Sequence, residues 1–361
     1  NHWEVHVYLH ALGWNSFFQN HWDSEPRPYL QPARVIEQQR AAFRVVSESG
    51  ELFAEETGHL RHSAVDPSAL PSVGDWVAIN AVSGEMKAAI HGILPRRTKL
   101  SRKVAGRRTR EQVLATNVDT AFILTSLNGD FNPRRIERYL EAIGEGGLKP
   151  VVILSKSDLC ANPDESAGEM AAAAPGVDIH VISSLTADGI ERLSSYLGPG
   201  NTAVLLGSSG VGKSTLVNRL LEAEVQTTLE VRSSDHRGRH ATTHRRLFSL
   251  PSGGVLIDTP GIREFQLWEA KGPRGVFDEI DQLAMNCRFR DCRHDSEPGC
   301  AVKQAIDDGV LDAQRLANAQ KLNRELDHVG RRRDLAPQRE EPQRWKRIRK
   351  AIRKEDKIFK L

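Results

Sequence analysis

The feature that most constrains this chain is the stretch "LLGSSGVGKSTLVNRLL", Leu205 to Leu221, together with its place more than halfway along 361 residues. An apolar run leads into it and a helical pattern leaves it, so Gly207 to Thr215 reads as a phosphate loop of the form G-x-x-x-x-G-K-[ST]. Gly207, Gly210 and Gly212 let the backbone wrap an anion, with Ser208, Ser209 and Val211 between them. The helix that follows turns its unpaired N–H groups toward the same point. Lys213 is placed to reach the β and γ phosphates of a nucleotide, and the Ser214 hydroxyl, with Thr215 behind it, to ligate Mg2+. The remaining parts of such a site, and their order along the chain, decide what the chain folds into.

About 45 residues downstream, "DTPG" (Asp258 to Gly261) ends an apolar run. A carboxylate at that strand end holds Mg2+ through water, and the Gly261 amide can approach a γ phosphate. Between the two lies "SSDHRGRHATTHRRLF", polar, basic and without periodicity, as expected of a switch loop. Thr242 and Thr243 are both eligible there to complete the Mg2+ shell. The element that tells guanine from adenine is missing downstream and appears upstream. "VVILSKSDL" sets Ser155, Lys156 and Asp158 after an apolar strand, and "ISSLTADGI" sets Ser183 and Ser184 about 25 residues later. The Asp158 carboxylate can accept both the N1–H and the N2–H of guanine, which adenine does not offer. The Lys156 stem can lie against the base or brace the loop. Base recognition thus precedes phosphate binding, the order of a circularly permuted nucleotide domain.

The flanks differ in texture. From Pro32 to about Lys99 short β-type runs are broken by "SESGE" and by the Pro and Gly of "LPSVGDWVAI", which suggests a small β-barrel, an OB-fold first. From Val118, "VDTAFILTS", "PVVILSKSD", "DIHVISS" and "TAVLLGSS" alternate with helical patterns such as "PRRIERYLEAIGEGG", the signature of a doubly wound α/β sheet. After "GVLIDTPGI" the strands stop. "CRFRDCRHDSEPGC" then brings Cys287, Cys292, His294 and Cys300 together with spacing C-x4-C-x-H-x5-C. Three thiolates and one imidazole make a closed tetrahedral set, so the expected metal is a structural zinc, with Cys160 left over as a plain thiol.

Four cysteines in 361 residues are too few for a disulfide scaffold and favour a reducing cytoplasm. Runs such as Ala121 to Leu124 are far too short to cross a bilayer, and the opening "NHWEVHVYLHALGW" has no basic leader, so neither a membrane segment nor a secretory signal is expected. The net charge of +3 is unevenly spread: Arg331 to Leu361 has 13 Lys or Arg against 5 Asp or Glu, and Arg96 to Arg110 has 8 basic residues and no acidic one. In the tail, Trp345, Ile348 and Ile352 fall at helical spacing among basic residues. Such a helix suits RNA, a partner protein or a membrane surface. The basic residues and a stackable Trp345 fit RNA.

With "LSRK", "ATNVDTAFIL", the permuted order, "DTPGIREF" and "EPGCAV" all present, the chain resembles the RsgA (YjeQ/YloQ) family of small-ribosomal-subunit-dependent GTPases. The resemblance covers nearly the whole sequence. It implies a multidomain chain: an N-terminal segment (1–31), an OB-fold barrel (32–100), a circularly permuted GTPase domain (101–268), a helical zinc-binding domain (269–330) and a basic tail (331–361). It also implies late maturation of the small ribosomal subunit, with GTP hydrolysed to GDP when that particle and its rRNA are bound, and release afterwards. A cytoplasmic monomer is expected.

Two departures from the family pattern carry expectations. Ser155 stands where the family usually has Asn, which predicts weaker nucleotide binding with guanine selectivity kept through Asp158. "HATTH" stands where the family commonly reads His-Thr-Thr, and alignment on the histidine favours Thr242 as the Mg2+ ligand, with Thr243 the alternative. Ile262 follows Gly261 where many GTPases carry a water-orienting glutamine. Hydrolysis alone should therefore be slow, and the resemblance assigns the water to His240, acting beside Lys213 and Thr242. Two other functions fit the same residues: an RNA-binding assembly placeholder with negligible turnover, and a permuted GTPase serving another ribonucleoprotein or a membrane partner.

Overall fold

Alternation of apolar and polar residues builds the first part of the chain. In the computed structural model, which describes residues 9–39, 42–64, 66–82, 84–103, 111–128, 131–224, 245–259, 277–289, 292–295 and 297–320, five strands follow one another. They are β1 (Gln31–Gln38), β2 (Phe43–Ser47), β3 (Gly50–Glu56), β4 (Trp76–Ala81) and β5 (Lys87–Ile93). On β3, Leu52 and Ala54 are buried while Phe53 and Glu55 are exposed, the period-two pattern of a strand with one wet face. Gly50, at φ +102°, takes the left-handed conformation that closes the β2–β3 turn. The strands run in the order β1-β2-β3-β5-β4, and β4 pairs back onto β1. With β3 and β5 parallel and the other neighbours antiparallel, this is the five-stranded OB-type barrel expected from the short strands. Val35, Val45, Leu52, Val77, Ile79 and Ile90 fill it, each contributing about 1.5–3 kcal/mol by burial.

The aromatics ahead of the barrel dock on it. Helix α1 (Ser16–Asp23) is capped by Asn15, whose side chain accepts from the Phe17 N–H at 3.0 Å. Trp14 and Phe18 lie with ring centroids 4.8 and 5.8 Å from Trp76. Beneath them the fully buried Arg34 donates to the carbonyls of Leu12, Gly74 (3.3 Å) and Asn117 (3.0 Å). Its guanidinium sits 5.5 Å from the Trp76 ring, and burial pushes its pKa down to about 10. One side chain thus joins the N-terminal segment, the barrel and the start of the next domain. A short α2 (Gly58–Ser63), capped by Thr57, bridges β3 and β4.

After the barrel, a hairpin of β6 (Lys99–Lys103) and β7 (Glu111–Thr116) carries the described part of the basic cluster. The α/β domain follows. Its β8 (Thr120–Ser126) is buried at every position, as expected of a parallel strand covered on both faces. Helix α3 (Pro133–Gly146) starts with Pro133 behind an Asn132 cap and ends on Gly147 at φ +73°. Then come β9 (Lys149–Ser155), α4 (Pro163–Ala173), β10 (Asp178–Val181), β11 (Thr202–Gly207), α5 (Lys213–Leu220), β12 (Arg246–Ser249) and β13 (Val255–Asp258).

The sheet order is β10-β9-β8-β11-β13-β12, parallel except for β12. From β8 the sheet runs outward through β9 and β10, and from β11 in the other direction through β13 and β12. The carboxyl ends of β8 and β11 therefore flank the switch point where α/β sheets bind ligands. The sheet also continues into the barrel, since Glu37 of β1 pairs with Arg246 of β12.

A second compact unit includes, among the described residues, α6 (Asp278–Ala284), α7 (Ala301–Asp307) and a helical stretch over 313–320. Arg315 ties its parts together, ion-paired with Glu279 and stacked 5.0 Å from the Phe277 ring. Among the described residues, no helix is long and apolar enough to cross a membrane.

Candidate nucleotide site and metal centre

The phosphate loop leaves the carboxyl end of β11 and enters α5. Its geometry depends on Gly207: at φ +142°, a Cβ there would lie 2.5 Å from the Leu124 carbonyl oxygen of β8. Lys213 is nearly fully buried and folds back along the loop, donating to the carbonyls of Gly207 (2.9 Å) and Ser208 (2.7 Å). Ser214 and Thr215 follow it in the first turn of α5. The loop has glycines where a backbone must approach an anion and a lysine aimed along it, which fits a nucleotide's phosphates.

The upstream residues arrive at the same loop. At the end of β9 the Ser155 hydroxyl donates to the Val211 carbonyl at 2.6 Å, and Lys156, at φ +60°, donates from Nζ to the Gly210 carbonyl at 2.6 Å. Of the two roles open to Lys156, its contact here is with the loop. The single hydroxyl of Ser155 thus links the end of β9 to the loop. The Ser183 hydroxyl donates to the Asp158 carboxylate at 2.5 Å and accepts from the Thr186 N–H at 3.2 Å, which holds that carboxylate at the loop edge. Ser184 lies beside it, largely buried. Asp258 is fully buried at the carboxyl end of β13, on the same edge of the sheet.

Two neighbours carried no motif, Arg219 and Arg135, and a third, Thr259, lies within DTPG without an assigned role. Arg219 of α5 donates to the carbonyls of Ser184 (3.2 Å) and Leu185 (3.0 Å), bracing the Ser183–Ser184 loop from the phosphate-loop helix. Thr259 ties β13 to β11 through the Leu205 carbonyl at 2.6 Å. Arg135 of α3 donates to the Ser208 hydroxyl. A polar residue inside the helical pattern of α3 or α5 is ordinary surface by sequence, so nothing in the pattern marked Arg219 or Arg135. His240, Thr242, Thr243, Gly261, Ile262 and the tail with Trp345, Ile348 and Ile352 lie outside the described residues.

In the second unit, the ligand atoms of Cys287, Cys292, His294 and Cys300 all fall within 4.8 Å of one another. His294 Nδ1 is 3.7 Å from Cys287 Sγ and 3.4 Å from Cys300 Sγ. Burial, together with the crowding of Cys300 and Cys287, pushes the Cys292 thiol up to about 11. Three thiols this close cannot all ionise unless a cation sits among them, and the Cys3His donor set suits a soft divalent metal. Cys300 also caps α7, its sulfur accepting from the Lys303 N–H at 3.5 Å, so the cluster and the helix start are one feature. Cys160 stands apart from it, in the loop after β9.

A family model described as RsgA GTPase matches residues 93–268. A protein of Opitutus terrae named small ribosomal subunit biogenesis GTPase RsgA is 44% identical over 97% of this chain and 98% of its own length. A protein of the same name from Syntrophotalea carbinolica is 43% identical over 98% of each. Among solved structures, YjeQ from Thermotoga maritima shares 25% identity at a TM-score of 0.60, covering 82% of this chain and 98% of that one. YloQ, described as a circularly permuted GTPase, has the same fold at a TM-score of 0.59 and 23% identity, covering 85% of this chain and 98% of its own.

Proposed function

The chain belongs to the family of RsgA GTPases, and from that premise we propose that it hydrolyses GTP as a step in the maturation of the small ribosomal subunit. The observation that carries this reading is the bonding of a base-recognition loop, which comes first in the chain, directly onto the phosphate loop that follows it (Ser155 to Val211 and Lys156 to Gly210). In this reading Gly207 to Thr215 hold the phosphates and Asp158 reads the guanine edge. Ser183 orients that carboxylate, and Ser184 meets the base through its backbone.

Lys213 offsets the charge that develops on the β and γ phosphates. Ser214 and Thr242, with Asp258 acting through water, would hold Mg2+, which would supply further charge neutralisation. The Gly261 amide meets the γ phosphate. Ile262 offers the attacking water no hydrogen bond, so His240 positions that water once the subunit is bound. The γ-phosphorus bond to the bridging oxygen breaks as the bond to water oxygen forms, leaving GDP and phosphate.

The metal of the Cys3His cluster is proposed to be one structural zinc, since four protein ligands leave no open position for chemistry. Contact with rRNA is assigned to the basic tail, to the Arg96–Arg110 cluster apart from Arg96 and Arg97, which are ion-paired with Asp75 and Asp119, and to the metal-bearing unit. In that unit Phe289 is exposed, with the Arg288 guanidinium 5.6 Å from its ring. The protein is proposed to work in the cytoplasm as a monomer.

The test is GTP hydrolysis by the purified chain, alone and with small subunits, large subunits or free RNA, with ATP and Lys213→Ala as controls. Stimulation of at least about tenfold by small subunits only, lost in Lys213→Ala, is the expected result. GTP-dependent binding to small subunits without faster turnover would instead favour the assembly placeholder. Indifference to small subunits would point to another ribonucleoprotein or a membrane surface.

A further inference from the structure

The phosphate loop is touched by a cation from outside its motif. Arg135 stands in the first turn of α3, and its guanidinium donates to the Ser208 hydroxyl. Ser208 is also the residue whose carbonyl takes the Lys213 ammonium at 2.7 Å. Two cations therefore converge on one residue of a loop built to hold an anion.

Local preference opposes this placement. The first turn of a helix carries the positive end of the macrodipole, where carboxylates are favoured and cations are not. Helix α3 has no acidic residue in that turn and instead carries Arg134 and Arg135. Nor is the start of the helix frayed. Pro133 fixes its first residue, and the Asn132 side chain accepts from the Arg135 N–H at 3.1 Å. Departures from local preference of this kind concentrate where a site needs the residue, and here the cation meets Ser208 of a loop whose form suits an anion.

The contacts also indicate which part of a nucleotide is involved. Ser155 and Lys156 hold the loop at Val211 and Gly210, the side that leads to Asp158 and the base. Lys213, which reaches for the β and γ phosphates, ends instead at Gly207 and Ser208. Arg135 adds its charge at that second position. We propose that Arg135 is a selectivity-determining residue of the nucleotide site, a charge that favours the triphosphate over the diphosphate. The inference rests on the nucleotide reading given under Proposed function.

The test is equilibrium titration of the full chain, with Mg2+, by GDP and by a non-hydrolysable GTP analogue, in wild type, Arg135→Gln and Arg135→Lys. Glutamine keeps a donor for Ser208 and removes the charge, while lysine keeps the charge. Arg135→Gln is expected to weaken the analogue about tenfold and GDP by no more than about twofold. Arg135→Lys should recover most of that preference, and the difference should shrink as salt is raised. Equal weakening of both nucleotides would make Arg135 a tether between α3 and the loop and overturn the proposal, as would no weakening of either. A wild-type chain that binds neither nucleotide would overturn the underlying reading, and this inference with it.

Discussion

The candidate nucleotide site and the candidate metal centre solve the same problem, holding a few side chains in fixed geometry, by opposite means. The nucleotide site draws its parts from distant stretches: Ser155 and Val211 are 56 residues apart, Arg219 and Ser184 35 apart. What holds them is a sheet whose core, including Phe122, Val151, Ile153, Leu205, Leu216 and Leu256, is fully buried. With the strand ends fixed by that packing, single hydrogen bonds to main-chain carbonyls are enough to set the loops. The metal centre takes all four ligands from Cys287 to Cys300, between two helices of seven residues each, with Met285 and Phe289 left exposed. Among the described residues the apolar core of this unit is small, with Phe277, Ile280, Val302 and Leu311 buried, and the proposed metal would add a cross-link to it. Where burial over-determines the backbone, single polar side chains only tune it; where the core is smaller, ligation would add the rigidity.

The contrast can be broken most directly at Cys300. Cys300→Ser, or removal of metal by a chelator, should abolish the structure of the second unit, since structural zinc is worth about 10–16 kcal/mol to small domains that depend on it. Protection of that unit from protease should be lost while GDP binding by the rest of the chain persists. A folded preparation that elemental analysis finds metal-free would end the comparison.

A smaller and purely kinetic effect is expected at the nucleotide site. His240→Ala should reduce subunit-stimulated hydrolysis by about 100-fold or more, in the range for a lost acid–base or water-positioning group, with nucleotide affinity unchanged. Unaltered stimulated turnover would remove His240 from the mechanism.

The smallest effect tests whether one hydroxyl replaces an amide. Ser155→Ala should weaken GDP about fivefold, the value of one hydrogen bond, without changing the melting of the sheet. If Ser155→Asn tightens binding well beyond wild type, the bond from Ser155 to Val211 is a poor substitute and the sequence-based expectation of weak binding stands.

Much of this was legible before any coordinates. The apolar strands, the phosphate loop and the Cys/His quartet are local patterns, and each appears where its residues stand together in the chain. The barrel was visible only as a set of short strands. Its closure of β4 onto β1 is a long-range pairing that alternation alone does not encode. The expectation for Ser155 was incomplete for a related reason. Side-chain identity showed that an amide was missing, but only the approach of β9 to the loop shows that a hydroxyl reaches the Val211 carbonyl. The attachment of the N-terminal segment is likewise long-range: the Arg34 hub supplies it, with contacts 22 and 83 positions away in sequence.

The sequence by itself determined the order of the functional parts, and with it the permuted fold, because motif identity and spacing are written in residues close along the chain. Tertiary structure alone decided which distant residues complete them: Arg219 on the Ser184 carbonyl, Arg135 on Ser208, β12 on the barrel's β1. The reason is physical. A local pattern reports only periodicity and chemical type, whereas a contact across 35 residues or more depends on how the strands are ordered and buried.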